Sequence, residues 1–564
     1  MKRTRLALLV LLLLLAAPAA VQAQFEYTPN ADGISLTITN YDGSGGAVTI
    51  PTNINGLTVT GIGTNAFAGN SLTSVTIPDS VTSIGAEAFY DCSDMTNATI
   101  SEGVTNIGAE AFYGCFGLPS VMIPESVASI GEGAFALCIN LTAIRVDAEN
   151  SFYSSMHDVL FDKSQATLVE YPGGLNGSYT IPATVTDIVE AAFEGCTSLT
   201  RVTIPGSVTS IGEDVFAYCY NMTGATIPNS VTNIGDQAFY GCNDLASLTI
   251  PTNVTSIGAE AFYGCYDVAS VTIPGSVASI GEGSFEWCTS LKAIAVEGQN
   301  SSYSSVNGVL FDKSQATLVE YPGGVGGSYT IPDNVTRIGA SAFEGCQSLT
   351  SVTIPIGVTS LGDYAFADCY SLTSAMIPDN VTNLGDYTFY GCTDLTNVTI
   401  PDSVTNLGDY AFYGCYGLTS VTIPSSVTSF GEGTFEWCIH LTSIYFKGDA
   451  PTADSSVFAH DNSFPTAFYL TGASGWSSTF NGLPAVLWDA LIQAAAANFG
   501  VQNNQFGFNI TGTANLPIVV EACTNLANPA WTPLQSLTLT NGLFYFSEPL
   551  QTNSTGRFYR VSSP

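Results

Sequence analysis

Charged side chains are scarce in this chain of 564 residues, and the basic ones are the scarcest. There are 12 Lys and Arg against 47 Asp and Glu, which gives a formal net charge of −35 at pH 7. A field of that sign repels nucleic acid and anionic membrane surfaces, so we expect neither as a partner. Divalent cations remain weak candidate ligands, although a solvated acidic face is the simpler interpretation.

Histidine is also rare, and the common catalytic motifs are missing. The sequence has only three histidines, at positions 157, 440 and 460. Neither HExxH nor GxSxG occurs, and no CxxC pair offers the short spacing that metal ligands need. We therefore expect a protein that is not an enzyme and that holds no cofactor.

Long apolar runs are missing except at the start of the chain. Residues 1–23 combine three basic residues, an apolar run from Leu6 to Ala17 and the cleavage motif Val21-Gln22-Ala23. This is the pattern of a cleaved signal peptide. No later stretch approaches the roughly 20 apolar residues that span a bilayer. The sequence predicts an exported protein, extracellular or on the outer cell surface, with no transmembrane span after signal cleavage.

What the sequence does have is a fixed period. Thirteen of the 14 cysteines are spaced by 23 residues, with two steps of 58. The stretches SLTSVTIPDSVTSIGAEAFYDC (71–92) and DLASLTIPTNVTSIGAEAFYGC (244–265) are variants of one unit. A period of this length indicates a solenoid or a propeller.

The pattern within one unit favours the solenoid. Val75 and Ile77 alternate with polar residues, which is typical of a short half-buried strand, and Pro78 ends it. One such strand per 23 residues is too few for a four-stranded propeller blade. We predict a mainly β repeat solenoid of about 17 coils, with Leu, Val, Ile, Phe and Cys stacked in one core. The cysteines are expected to be buried free thiols, since thirteen is odd and stacked side chains point the same way.

Two coils are 35 residues long and share the sequence VLFDKSQATLVEYPGG, at 159–174 and 309–324. One 35-residue coil and five 23-residue coils make 150 residues, the separation of the two copies, so a six-coil block is repeated. We expect each copy to be a hairpin that projects from its coil. Its exposed acids should titrate normally, which argues against a catalytic carboxylate pair. The candidate site residues in the two hairpins are Asp162, Lys163, Glu170, Asp312, Lys313 and Glu320.

The ends of the chain depart from the period and set the predicted domains. A small β-sandwich-like domain is expected at the C-terminus because five strand-like runs follow residue 500. The linker before it reads as one or two helical turns. The boundaries are 1–23 for the signal peptide, 24–50 for an N-terminal cap, 51–446 for the solenoid, 447–488 for a C-terminal cap, 489–500 for the linker and 501–564 for the small β domain.

The unit xxLTSVTIPxxVTSIGxxAFxGC, with its long coils, resembles the BspA-like bacterial leucine-rich-repeat surface proteins over roughly residues 26–488. The resemblance implies a curved right-handed solenoid outside the cell that acts in adhesion or protein binding, and it brings no catalytic residues. The tail, with GRFYRVSSP at its end, is similar to a module that closes many exported bacterial proteins, for which sorting or attachment is the expected role.

Two sets of repeated side chains are candidate binding surfaces. One is a column of strand threonines, for which the alternative is that Thr simply suits a solvent-facing strand position. The other is a column of tyrosines after the buried Phe, expected to point outward in adjacent pairs and to contact protein or sugar, or else to cover the next turn. The candidates are Thr76, Thr99, Thr249, Thr272, Thr353, Thr399 and Thr422, with Tyr90, Tyr113, Tyr240, Tyr263, Tyr390 and Tyr413.

The function that fits these features is a non-enzymatic exported scaffold that binds protein or mediates adhesion at the cell surface. The alternative is an extracellular carbohydrate-binding protein that uses the Tyr and Ser/Thr columns. The partner is thus an extracellular protein or glycan, and the sequence does not decide between them.

Overall fold

The computed structural model describes residues 24–460, 464–494, 496, 498–502, 504–526, 529–550 and 556–562. The predicted signal peptide lies outside the described residues. Within them the regular elements are all β-strands, which wind into about 19 solenoid turns. The predicted mainly β leucine-rich-repeat solenoid is therefore confirmed.

One coil shows how the repeat folds. Leu72–Thr76 is the first strand, with Val75 fully buried, and Pro78 follows it where the chain turns. The two-residue second strand is Ser83–Ile84. Gly85 comes next because a Cβ there would lie 2.7 Å from the backbone of Gly63 in the preceding coil. Residues 86–92 then form successive turns that bring the chain back to the first strand.

Contacts divide the chain into two compact units. The first holds the described residues up to Val325 together with Ser341–Cys346, and the second holds Gly326–Ala340 and the described residues from Gln347 onward. Each unit is built from the same coil, in which first strands pair in parallel with first strands and second strands with second strands.

Strands of the first unit fall into two columns. The first strands are Gly46–Thr49, Leu72–Thr76, Asn97–Thr99, Ser120–Ile123, Ala143–Val146, Gly177–Thr180, Leu199–Thr203, Gly224–Thr226, Ser270–Ile273 and Ala293–Val296. The second strands are Ser83–Ile84, Asn106–Ile107, Ser129–Ile130, Asp187–Ile188, Ser210–Ile211, Asn233–Ile234, Ser256–Ile257 and Ser279–Ile280.

The first coil carries three strands of its own at the N-terminal end, together with a longer strand in the place of a second strand. Phe25–Pro29 pairs antiparallel with Ser35–Tyr41, which pairs in parallel with Leu57–Ile62. The short strand Asn53–Ile54 pairs with that last strand as well. Residues 61–62 then continue the column of second strands by pairing with Ser83–Ile84.

The second unit repeats the arrangement. Its first strands are Gly327–Thr330, Leu349–Thr353, Ser374–Met376, Asn397–Thr399, Ser420–Ile423, Ser443–Phe446, Thr466–Leu470 and Leu483–Trp488. Its second strands are Arg337–Ile338, Ser360–Leu361, Asn406–Leu407 and Ser429–Phe430.

The solenoid is longer than the sequence count of 17 coils. Thr466–Leu470 pairs in parallel with Ser443–Phe446, and Leu483–Trp488 pairs in parallel with Thr466–Leu470. The stacking thus continues through the stretch that was expected to be a C-terminal cap. The period is lost there in sequence because these coils differ in length, while the pairing between coils is kept.

A ladder of phenylalanines runs through the core of each unit. Phe67, Phe89 and Phe112 are fully buried, and their ring centroids are 5.0 Å apart in sequence order. The 13 cysteines of the repeat are free and buried, as predicted, and Cys523 in a later strand is free and buried as well. The thiol of Cys92 also donates to the carbonyl of Phe67, at 3.1 Å, which apolar packing alone does not require. The same bond recurs one coil later from Cys115 to Phe89.

The last strands of the chain form two antiparallel sheets that share one hydrophobic cluster. Leu491–Gln493 is a strand that pairs with Gln505–Thr511, so the helical turns expected in the linker are wrong at that point. Tyr445 and Phe468 of the solenoid belong to the same cluster. The standing of this region as a separate domain stays a prediction. Its other strands are Gly500–Gln502, Leu516–Cys523, Thr532–Leu539, Leu543–Pro549 and Phe558–Ser562, while Thr479–Phe480 pairs antiparallel with Leu483–Trp488 of the solenoid.

Candidate binding surfaces

The two identical stretches lie inside their coils. In the first copy, Tyr153–Met156, Val159–Asp162 and Thr167–Glu170 form an antiparallel sheet, and residues 167–168 pair in parallel with Asp187–Ile188. The return strand thus takes the place of a second strand. The expected projection is wrong because residues 159–161 are all fully buried. Side chains alternate along a strand, so three consecutive buried residues leave no outward face. The second copy has Tyr303–Val306, Val309–Asp312 and Thr317–Glu320.

Asp162 and Lys163 hold the turn of this hairpin together. The Asp162 carboxylate accepts the backbone N–H groups of Ala166 and Thr167, each at 2.8 Å. Partial burial acts to raise the pKa of Asp162, but these bonds and one from Ser164 outweigh it and hold that pKa below its ordinary value. The Lys163 ammonium donates to the backbone carbonyl of Asn150. In the second copy Asp312 accepts the Thr317 N–H at 2.8 Å and Lys313 donates to the Asn300 carbonyl.

Glu170 and Glu320 are buried, with exposed fractions of 2% and 5%. The Glu170 carboxyl accepts the backbone N–H of Phe135 at 3.3 Å, a donor that in other coils bonds to the next coil's backbone. Burial raises the pKa of both carboxyls well above the ordinary value. The expectation that they titrate normally is therefore wrong, since the hairpin folds into the stack rather than out of it.

The second copy places the carboxyls of Glu286, Glu320 and Glu344 together. Glu286 is 5% exposed and lies beside Glu344, whose carboxylate accepts the Ser341 hydroxyl at 2.9 Å. Burial and then the charge of Glu344 raise the pKa of Glu286 to about 9. The position equivalent to Glu286 in the first copy is Ala136, 150 residues earlier. The cluster is thus a feature of one copy only.

The candidate tyrosines form stacked pairs. The ring centroids of Tyr90 and Tyr113 are 4.9 Å apart with planes 2° apart, and Tyr240 and Tyr263 are 4.6 Å and 1° apart. Because one face of each ring lies against its partner, the pairs offer edges, hydroxyls and at most one free face per ring. The Tyr113 hydroxyl is already bonded to the Glu194 carboxylate, at 2.6 Å. A third pair, Tyr390 and Tyr413, has centroids 4.9 Å apart.

The candidate threonines lie on the outward side of the first strands. Six of the seven are exposed and Thr422 is half-buried. The column is less regular than the sequence pattern suggests, because parallel pairing brings Met122 against Arg145, Thr272 against Ala295 and Thr422 against Tyr445. Met122 is 52% exposed. Binding through the threonines stays a prediction.

A second tyrosine column, which the sequence analysis missed, adjoins the third pair. Tyr364 and Tyr387 have ring centroids 4.5 Å apart and planes 3° apart, and Tyr410 follows at 5.1 Å. Tyr387 lies 5.7 Å from Tyr390, and Tyr410 lies 5.9 Å from Tyr413. These contacts join five rings into one surface. We call Tyr364, Tyr387, Tyr390, Tyr410 and Tyr413 the tyrosine patch.

Carboxylates border the tyrosine patch on the side of its first column. The Asp363 carboxylate accepts the N–H of Asp386 at 2.9 Å, and the Asp386 carboxylate accepts the N–H of Asp409 at 2.8 Å. The Tyr410 hydroxyl donates to Glu432 at 2.6 Å. A carboxylate has about four lone-pair sites, so each can still accept further donors.

Comparison with known proteins decides the family. The model of the BspA type leucine rich repeat region, six copies long, matches residues 60–177, 175–292, 327–442 and 359–469, which is more than half of the chain. The chain belongs to the BspA-type leucine-rich-repeat family. The resemblance read from the repeat unit is thus confirmed. No curated protein matches the chain.

Solved structures similar to this BspA-type chain come from several bacteria. A leucine rich cell surface protein from Faecalibacterium prausnitzii is 30% identical over 76% of this chain and 94% of its own, with a TM-score of 0.41. A leucine-rich repeat protein from Bacteroides ovatus is 23% identical over 83% and 98%, with a TM-score of 0.34. The pneumococcal vaccine antigen PcpA is 17% identical over 83% and 97%, with a TM-score of 0.30.

The first column of the tyrosine patch, Tyr364, Tyr387 and Tyr410, is not a by-product of the BspA-type repeat. It stands 150 residues after Asp214, Gln237 and Glu260, so the preceding block carries polar residues there. The sequence signal is the tripeptide Gly-Asp-Tyr, which occurs three times between residues 362 and 410. A search for motifs shared by all coils overlooks it, because the signal is a departure from the repeat.

Metal and membrane sites receive no support from the described part of the chain. No three His, Cys, Asp or Glu side chains there are grouped so that they could hold a metal ion. Nor do those residues contain a helix long and apolar enough to cross a membrane.

Proposed function

We propose that this BspA-type protein is an exported scaffold that binds other proteins at the cell surface, and that the tyrosine patch is its main contact. Membership of a family with a cell-surface relative supports the location. The observation that supports a binding role is the tyrosine patch. Its first column differs from the equivalent residues of the preceding block, and a protein that served only as a scaffold would not need that difference. Repeat arrays present extended surfaces of this kind without catalytic chemistry.

The chemistry of the patch supports a protein partner. Tyrosine is enriched at the centre of protein interfaces because it supplies a large rigid area with one polar atom. Tyr364 is 36% exposed and the other four rings are half-buried, so their positions are fixed before any partner binds. A preformed surface loses less side-chain entropy on association.

The carboxylates at the border support a basic partner. Asp363, Asp386 and Glu432 are exposed beside the rings. Together with the net charge of −35, they favour segments that carry Lys or Arg over acidic ones. Hydroxyl and carboxylate oxygens there would accept hydrogen bonds from such side chains.

The test exchanges the first column for the residues of the preceding block. The variant Tyr364→Asp, Tyr387→Gln, Tyr410→Glu uses side chains that the same coil position already accepts. Binding is measured against a peptide library graded from acidic to Lys- and Arg-rich members. We expect Lys- and Arg-rich peptides to bind the native chain, and the variant to bind them about tenfold or more weakly.

The exchange separates contact by tyrosine from attraction by charge. The variant adds two acidic residues, so attraction alone predicts tighter binding of basic peptides, and unchanged or tighter binding would contradict the proposal. The reciprocal variant Asp214→Tyr, Gln237→Tyr, Glu260→Tyr builds the three-ring column in the preceding block and should add a second binding site. Thermal unfolding of both variants controls for loss of structure.

A further inference from the structure

An aromatic cleft of about 320 Å³ opens in the first unit. It is lined by Tyr90, Asp91, Tyr113, Gly114, Phe116, Leu137, Tyr218 and Tyr220. Its volume lies at the lower end of the range of small-molecule sites, about 300–1,000 Å³. The cleft is therefore of a size for a small ring, not for a folded partner.

A glycine creates the space. Gly114 has a φ of +67°, and the residues at the same coil position before and after it are Asp91 and Leu137, with φ of 51° and 55°. Most coils have glycine at this position, and Gly114 stands between two coils that carry side chains at the same backbone geometry. A Cβ added at Gly114 would meet only Asp91, at 3.5 Å and beyond. The missing side chain opens the floor of the cleft between Asp91 and Leu137.

Tyr218 and Tyr220 form the opposite wall, and the long coil brings them into place. Because the outer turn of the long coil is shortened, the turns on either side of it meet directly, and the Leu137 N–H bonds to the Glu194 carbonyl at 3.1 Å. This brings Tyr218 and Tyr220 close to coils that lie much earlier in the chain. Tyr218 is tilted by 68° from Tyr240 and by 67° from Tyr220, so it does not join the parallel stack.

The lining combines apolar faces with oxygen acceptors. Phe116 and Tyr220 are 37% and 39% exposed at the rim, and Leu137 adds an aliphatic surface. The Asp91 carboxylate accepts hydrogen bonds, and the tyrosine hydroxyls can both donate and accept them. A sugar ring has the matching pattern, with C–H groups on its faces and hydroxyls around its edge. Aromatic side chains with one polar end suit such a ligand.

We propose that this cleft binds a single neutral pyranose ring of a glycan. The protein's net charge of −35 and the carboxylate of Asp91 in the cleft oppose uronic acids and other anionic sugars. The Tyr113 hydroxyl is held by Glu194 at 2.6 Å, which leaves its oxygen able to accept from a sugar hydroxyl. The site does not depend on the tyrosine patch and goes beyond the proposed protein binding.

The test measures saturation-transfer difference NMR on the full chain after signal cleavage. The probes are the methyl glycosides of glucose, galactose, mannose and N-acetylglucosamine, with methyl glucuronide as the anionic probe. We expect a signal from at least one neutral glycoside and none from the glucuronide. Absence of any neutral signal, or a signal from the glucuronide alone, would overturn the proposal.

Variants locate the binding. Gly114→Leu fills the floor with the side chain that Leu137 already carries in the same column. Gly69→Leu is its control, since Gly69 has a φ of +68°, stands in the same column and has open space around an added Cβ. Tyr220→Ala removes one wall, and Phe152→Ala, at a residue 53% exposed, controls for loss of an exposed aromatic.

The two cleft variants should reduce the sugar signal at least fivefold, while the two controls keep it. Equal signals from Gly114→Leu and Gly69→Leu would place the sugar elsewhere and contradict the assignment. Each variant is checked by thermal unfolding, so that a lost signal is read only from a folded chain.

Discussion

Buried carboxyls give this protein a pH response that its exposed acids do not predict. Glu286 and Glu320 are each 5% exposed and lie with Glu344 in one cluster, faced also by Ser341 and Glu260. Like charges cannot all ionise in a buried site, so the folded state keeps protons that the unfolded chain releases. Stability should then fall as pH rises, from the ordinary glutamate pKa of 4.5 to the raised value of about 9 at Glu286.

The variant Glu286→Ala tests this response. It installs the residue that Ala136 provides in the first copy, and it removes one charge from the cluster. We expect the unfolding temperature of the native chain to fall between about pH 5 and pH 9, and that of the variant to fall less over the same interval. Thermal unfolding followed by circular dichroism at several pH values measures both slopes.

The reverse change supplies the matched control. Ala136→Glu should build the three-carboxyl cluster in the first copy, where Glu170 and Glu194 already lie, and should steepen the loss with pH. Burial and the Tyr113 hydrogen bond act in opposite directions on Glu194, and its pKa rises to about 7. Identical slopes for the native chain and both variants would show that the cluster does not control the response.

Sequence spacing foresees some residues and not others. The cysteine column could be placed in the core because each of its 13 members stands three residues after a Phe. The burial of Glu170 could not be predicted, because a carboxylate in an insert is expected to be exposed until the path of the insert is known. Its burial follows from a backbone donor, the N–H of Phe135, that the shortened coil leaves for a side chain to satisfy.

At the scale of the element, the 35-residue coil is held by one buried asparagine. Asn150 is fully buried, and its amide donates to the carbonyls of Pro124 and Val127 at 2.7 and 2.9 Å. Its oxygen accepts the N–H groups of Phe152 and Tyr153, each at 2.8 Å. One side chain therefore ties the insert to the preceding coil.

The variant Asn150→Asp should loosen the insert. It is nearly isosteric, but it removes the two N–H donors and places a carboxylate against two carbonyls. Each buried group left unpaired costs about 1–3 kcal/mol, so the free energy of local unfolding should fall by roughly 2–5 kcal/mol. Hydrogen exchange followed by mass spectrometry over residues 147–174 measures this loss.

The second copy and an exposed neighbour serve as controls. Asn300 donates to Pro274 and Val277 at 2.8 and 2.9 Å, so Asn300→Asp should have the same effect over residues 297–324. Glu149→Gln changes an exposed side chain beside Asn150 and should change little. Unchanged exchange in both Asp variants would mean that the asparagines do not anchor the inserts.

The path of this element was beyond prediction from sequence. The turn chemistry of Asp162 was foreseen, because an Asp that opens a short turn accepts backbone donors. The direction of the hairpin was not, since alternation in VLFDKSQATLVEY fits a strand equally well on the surface or in the stack. The direction is set by the pairing of residues 167–168 with Asp187–Ile188. That pairing is a contact between coils, which the sequence of one coil does not contain.

At the scale of the whole molecule, a uniform scaffold carries a few surfaces that depart from the repeat. The fold class follows from the 23-residue period and the single strand pattern within each unit, and the turn count differs only where coil lengths change. The binding surfaces do not follow from the period, because copying explains every feature shared by all blocks. A departure such as Gly-Asp-Tyr is where a function added to the scaffold would be recorded.

The most direct test of this account is a hydroxyl-radical footprint of the full chain after signal cleavage. The chain is oxidised alone and with the tightest-binding Lys- and Arg-rich peptide of the library, and each tyrosine is quantified by mass spectrometry. We expect protection at Tyr364, Tyr387 and Tyr410, with Tyr240 and Tyr263 unchanged. Equal protection of equivalent tyrosines in all blocks, or protection confined to the strand face at Met122 and Met376, would contradict it.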